Sequence, residues 1–223
     1  MPRFDAVLFD LDGTLLNTLA DLHVALQFAL QKNGLPARTQ EEVRAFVGNG
    51  IRRLIARGVP AGTPAPVENA VYADFCAYYG AHCTDATSPY AGVPELLTAL
   101  GAAGIKTAML SNKADAVVQA LARRYFDGVF AYVAGERGGV PKKPAPDIVF
   151  AALAALGVPK ERAVLVGDSE VDIATAQNAG VPCISVTWGF KDKSFLLANG
   201  ARTLVSSPAE LLPLLTFGRP WER

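Results

Sequence analysis

The chain has 223 residues, enough for one large domain or two modest ones, and 51% of them are hydrophobic against 19% charged, the balance of an ordinary globular protein. Lys+Arg and Asp+Glu both number 21, so no overall field draws the chain to nucleic acid or to an acidic membrane. Only a local constellation of charge can mark a site.

Cys76, Cys83 and Cys183 are an odd number without metal-type spacing, the pattern of reduced thiols in a cytoplasm rather than of a disulfide framework. Cys76 and Cys83 share one face of a predicted helix and are expected to be buried. His23 and His82 lie far apart and form no visible catalytic pair. The opening MPRFDAVLFD is too short an apolar stretch, and too soon broken by Asp10, to be a signal peptide or membrane span. No later run is long enough to cross a bilayer, so a soluble, cytoplasmic protein is expected.

In chain order, residues 6–9 are a short apolar run with the length of a buried parallel strand. Residues 19–31, 41–46, 51–57 and 67–81 then read as helices, separated by Gly34-Leu35-Pro36, Gly48-Asn49-Gly50 and the loose 58–66 segment. From residue 93 strand and helix alternate: helix 93–103, strand 107–110, helix 113–123, strand 128–133, helix 145–156, strand 163–166, helix 171–179 and strand 183–186. Gly104, Gly157 and Gly180 follow three of these helices as left-handed stops. This alternation predicts an α/β fold, an open, doubly wound parallel sheet. About a hundred residues separate its first two strands, where a crossover needs only ~30. The surplus, 15–89, is read as an inserted all-helical domain, leaving 1–14 and 90–223 as the core. The tail 217–223 carries no readable signal.

Ligands of an open parallel sheet bind outside the carboxyl ends of its strands. Asp10, Ser111 and Asp168 all fall at such ends, and the helical insert leaves from the same edge, as a cap over an active site would. After the first strand comes Asp10-Leu11-Asp12-Gly13-Thr14. Two carboxylates this close raise each other's pKa unless a cation or donor compensates, which suits metal binding or a division between nucleophile and general acid. Gly13 permits a sharp turn with exposed N–H groups. Ser111-Asn112, with Lys113 opening a helix, reads as a phosphate-binding corner or as a simple helix cap. In Lys142-Lys143-Pro144, the proline holds Lys143 extended before the next helix, where an ammonium could neutralise a phosphoryl group and an attacking carboxylate. Gly167-Asp168-Ser169-Glu170-Val171-Asp172 has Asp168 as the expected helix cap and Asp172 one turn on. Unpaired acids on one face repel, and a hard cation such as magnesium would relieve them.

In this order and at successive strand ends, the four motifs resemble the haloacid dehalogenase-like superfamily of aspartyl phosphotransferases. The likeness spans nearly the whole chain, with the helical insert in the place of the family's cap. It implies a magnesium-dependent hydrolase acting on a small phosphorylated metabolite through an aspartyl phosphate, as a monomer or homodimer. By the same likeness Asp10 is the nucleophile and Asp12 the general acid/base. Ser111, Asn112 and Lys143 bind phosphate. Asp10, Asp168 and the Asp12 backbone carbonyl bind the metal, which Asp172 binds or orients. Val47-Gly48-Asn49-Gly50 is similar to the substrate loop of the phosphoglycolate phosphatases, and Tyr90-Ala91-Gly92-Val93 to their return hinge. Asn17 departs from that pattern, since those relatives often carry Asp there. The loop opens a helix bearing Arg52 and Arg53, which read either as contacts for an anionic leaving group such as glycolate or as a solvated face. A sugar-phosphate phosphatase or a phosphoglucomutase-like phosphotransferase shares these motifs; a dehalogenase needs neither Asp12 nor a metal. A receiver-type signalling domain needs only ~120 residues and no cap. No dinucleotide or P-loop fingerprint is present.

Overall fold

The computed structural model describes residues 3–48 and 50–216; Asn49 and the tail from residue 217 lie outside the described residues. The chain divides into two compact units, one formed by the residues up to Leu16 with those from Pro89 onward, the other by Asn17–Ser88.

The first unit is built on β1 (Ala6–Phe9). Two-residue strands β2 (Leu16–Asn17) and β3 (Ser88–Pro89) stand where the chain passes between units, in a region where the sequence pattern suggested no strand. Two residues are too few to show a periodicity. After α5 (Val93–Ala102) come β4 (Lys106–Ala114), α6 (Asp115–Phe126), β5 (Tyr132–Glu136), α7 (Asp147–Leu156), β6 (Ala163–Gly167), α8 (Glu170–Ala179), β7 (Cys183–Val186), α9 (Lys193–Ala198), β8 (Leu204–Val205) and α10 (Pro208–Thr216). The strands form one six-stranded sheet in the order β5-β4-β1-β6-β7-β8, with every pairing parallel. Ala6, Leu8, Ala108, Leu110, Ala163 and Leu165 pack on one face against Ile148, Val149 and Ala152 of α7 and Ala176 and Ala179 of α8. Val7, Phe9, Met109, Val164 and Val166 alternate with them and are equally buried. A strand buried on both faces reads as a continuous apolar run, which is why β1 and β6 stand out in the sequence.

Three boundaries differ from expectation. β5 lies later than 128–133, because Phe126, Gly128 and Val129 close the α6 turn instead. α7 starts at Asp147, after Pro144 and Pro146 have kept the chain out of helix. α6 starts at Asp115, because β4 continues through Lys113. Elements α9, β8 and α10 follow the last predicted strand and are too short or too mixed to declare a period.

The second unit contains α1 (Leu19–Lys32), α2 (Gln40–Phe46), α3 (Ile51–Gly58) and α4 (Ala65–His82). Leu22, Ala25, Leu26, Ala29 and Leu30 of α1 are buried, as are Val71, Phe75 and Tyr79 of α4, one turn apart on the face that α1 covers. Thr39 and Glu42 form a reciprocal capping box at the start of α2. Asp21, buried in α1, accepts the Ala86 and Thr87 N–H groups, both at 2.9 Å, and so ties down the segment after α4. Cys83 is buried as expected, whereas Cys76 is only partly so. Among the described residues no helix is long and apolar enough to cross a membrane.

Candidate active site

Register brings the acids together. Phe9 is level with Met109 of β4 and Val166 of β6, so Asp10, the irregular stretch of β4 after Leu110 and Asp168 fall along one edge of the sheet. The Asp10 N–H donates to the Val166 carbonyl at 2.9 Å, holding the first motif against the last. Asp10, Asp168 and Asp172 are all buried, with ligand atoms within 4.8 Å of one another.

Lys143 enters this cluster from the β5–α7 connection. Its ammonium donates to Asp10 Oδ1 at 2.6 Å, Asp172 Oδ1 at 2.7 Å and the Leu110 carbonyl at 3.1 Å. The Asn112 amide holds the Lys143 carbonyl at 2.8 Å, and the Ser111 hydroxyl accepts the Lys113 N–H at 3.1 Å. Since α6 opens only at Asp115, Ser111 and Asn112 belong to an irregular strand end, not to a helix N-terminus. The expected cap at Asp168 is also displaced: Ser169 caps α8, and Asp172 Oδ2 accepts the Ser169 hydroxyl at 2.7 Å and its N–H at 3.2 Å. The Asp168 side chain instead accepts the Phe190 N–H on Oδ2 at 2.7 Å.

Two contributors escaped the sequence reading. Trp188-Gly189-Phe190, just past β7, braces both acidic motifs: the Trp188 indole donates to the Thr14 carbonyl at 3.0 Å, and Phe190 holds Asp168. Gly189 lies so close to the Gly13 carbonyl and the Asp168 carboxylate that a Cβ would collide with both. Gly13 itself has φ +84° and would drive a Cβ into Asp168. Their position at the end of the next predicted strand was the available signal. The other contributor is Lys113, whose ammonium lies 2.5 Å from Asp12 Oδ1.

Burial pushes the Asp10 carboxyl up to about 7; the Lys143 ammonium opposes this, while Asp172 and Asp12 add to it. Asp168 is raised well above the usual range by burial and by the charges of Asp10 and Asp172. Burial disfavours the Lys143 ammonium, but its attraction to Asp10 and Asp172 outweighs that, and its pKa rises. Asp10 and Asp172 thus share one ammonium with Asp168 beside them, an excess of acidic groups whose charge a divalent cation would neutralise. Both Asp172 oxygens are engaged, whereas Asp10 and Asp168 each have one oxygen outside the hydrogen bonds described. That donor set fits magnesium, which takes one or two protein carboxylates beside water and phosphate.

In the helical unit, Gly50 caps α3 with φ +83° and Gly48 has φ +121°. Arg52 does not extend freely: its guanidinium lies 3.5 Å from the Tyr72 ring centre and donates to Asn69 Oδ1 at 2.6 Å, both on α4. Arg53 is exposed and has no partner among the described residues.

A parallel sheet carrying this acid cluster at its carboxyl edge agrees with the sequence comparison. The haloacid dehalogenase-like hydrolase profile matches residues 7–186, and the chain belongs to that family. Within it the chain is phosphatase-like, and phosphoglycolate phosphatase-like in particular. The phosphoglycolate phosphatase of Caulobacter vibrioides is 38% identical over 194 residues, covering 84% of this chain and 81% of the relative. The N-acetylmuramic acid 6-phosphate phosphatase of Pseudomonas aeruginosa is 31% identical over 218 residues, covering 96% and 95%. A crystal structure from Lactobacillus delbrueckii subsp. bulgaricus, described as a candidate phosphoglycolate phosphatase, superimposes with a TM-score of 0.92 at 33% identity, over 98% of this chain and all of that one.

Proposed function

We propose that the chain hydrolyses a small phosphomonoester, 2-phosphoglycolate in first place, through an aspartyl phosphate on Asp10 with magnesium as cofactor. The observation that carries this reading is the buried Asp10 carboxylate, held by Lys143 at 2.6 Å and facing two further acids at the carboxyl edge of the sheet.

An Asp10 oxygen attacks phosphorus, and the bond from phosphorus to the leaving oxygen breaks while Asp12 donates a proton to that oxygen. Asp12 then takes a proton from water as the water oxygen attacks the aspartyl phosphate, releasing phosphate and restoring Asp10. Lys143 and Ser111 steady the phosphoryl oxygens, Asn112 holds the Lys143 backbone, and Asp172 orients the Lys143 ammonium. Asp10, Asp168 and the Asp12 carbonyl would hold magnesium, which when bound would supply positive charge beside the phosphoryl oxygens. Discrimination among leaving groups is assigned to the helical unit, through the Gly48–Gly50 loop and Arg53, since Asn69 and Tyr72 already hold Arg52.

The test is phosphate release from the purified chain with magnesium over a panel of small esters. Turnover of 2-phosphoglycolate above the rest, lost in Asp10→Asn, is expected. Preference for N-acetylmuramic acid 6-phosphate, supported by the second relative above, would move the substrate to the sugar phosphates. Dependence on a bisphosphate activator would make the chain a mutase.

A further inference from the structure

We propose that Lys113 is a positioning residue for Asp12, fixing the carboxylate in the orientation from which it serves the leaving oxygen and the attacking water. The inference rests on the reading of Asp12 as proton carrier.

The two aspartates of the first motif have separate lysines. Lys143 holds Asp10 and Asp172, whereas the Lys113 ammonium meets Asp12 Oδ1 at 2.5 Å. The Lys113 side chain is 4% exposed and that of Asp12 17%. A lysine is seldom this buried without a charged partner, and an ion pair so shielded from water restrains its members more than a surface pair does.

The backbone around Lys113 is shaped to deliver it. The register between β4 and β5 slips between Leu110 and Ala114, so the strand bulges as it passes Ser111, Asn112 and Lys113. Gly135 on β5 makes the room: a Cβ there would lie 2.5 Å from both the Lys113 carbonyl and the Asp115 Cα. The Asp115 carboxylate accepts the Gly135 N–H at 2.7 Å, and Ser111 Oγ accepts the Lys113 N–H. The bulge is therefore pinned from both sides, and Lys113 reaches Asp12 from a rigid strand end. A proton carrier must stay within hydrogen-bond reach of the atom it serves, and a misplacement of about 1 Å costs on the order of 10²-fold in rate.

The test is a four-enzyme cycle on the full chain with magnesium and the best ester of the panel: unaltered, Lys113→Met, Asp12→Asn and the double variant. Lys113→Met is expected to lower kcat by roughly 10–100-fold while KM stays within about 3-fold. On the Asp12→Asn background the same change should cost less than about 3-fold, because the group it positions is gone. An undiminished loss on that background would show Lys113 acting by itself, and a raised KM with kcat intact would make it a substrate contact. Either outcome overturns the proposal. If Asp12→Asn alone turns over like the unaltered chain, the proton-carrier reading fails and the proposal with it, an outcome distinct from both. Thermal unfolding of each variant checks the fold, and Lys113→Gln replaces Lys113→Met in the cycle if the latter gives no cooperative transition.

Discussion

The basic residues assigned roles in the two units sit in opposite settings. In the sheet unit, Lys143 has lost almost all contact with water and is held between Asp10 and Asp172, with Asp168 alongside. In the helical unit, Arg52 lies on the face of Tyr72 and Arg53 is open to solvent. Buried charges must satisfy one another, so each residue of the first set constrains the next and none can change alone. Exposed arginines carry no such obligation. Chemistry that must not vary suits the first environment, and selection among leaving groups suits the second.

The sharpest way to break this contrast is at Asp10. Asp10→Asn keeps the side chain's size but removes the charge proposed to attack phosphorus, and kcat should fall by at least ~10³-fold with the fold intact by circular dichroism. Lys143→Met comes next, leaving two buried carboxylates without their cation. It should lower both turnover and stability, by about 3 kcal/mol in a urea titration, where an exposed lysine such as Lys193 would show almost nothing. A stable, active Lys143→Met would remove the distinction between the units.

The proposed metal and pH would act on the same cluster. Asp10 titrates near 3.8 when unfolded and at about 7 in the fold, so the folded state binds the extra proton between those values. Its contribution to stability is complete below the unfolded pKa and is lost as pH rises through about 7; the raised pKa of Asp168 acts in the same direction. In chelator, Tm should fall between pH 5.5 and pH 8. Saturating magnesium should recover about 3–6 °C at pH 8 and less at pH 5.5. An equal or larger recovery at pH 5.5 would count against the acids as its ligands.

How much of this was readable in advance follows from how local each feature is. Asp10 and Asp168 were legible because β1 and β6 are uninterrupted apolar runs and the acids stand directly after them. Lys143 was legible through the proline that follows it. Lys113 was misplaced because the residues after it have helical periodicity, while the room for a longer β4 comes from Gly135 on another strand. The brace from Trp188 to Thr14 spans most of the chain length and leaves no local pattern. Neighbouring positions likewise could not separate Arg52 from Arg53, since the difference is made by Asn69 and Tyr72 on α4.

That last difference supports the smallest prediction. Arg53→Ala should lower kcat/KM for 2-phosphoglycolate by about 3–10-fold relative to a phosphate ester with an uncharged leaving group, the size of one exposed charge–charge contact. Arg52 is already committed to Tyr72 and Asn69, so Arg52→Ala should disturb the packing of α3 on α4 and affect both esters alike. Competition between the two esters in one reaction measures the ratio directly and cancels differences in active-enzyme concentration. If Arg52→Ala shifts the ratio and Arg53→Ala does not, the stacked arginine is the leaving-group contact, and its contact with Tyr72 serves to aim it. If neither shifts it, the basic face of α3 is solvated surface, and selection lies elsewhere in the helical unit.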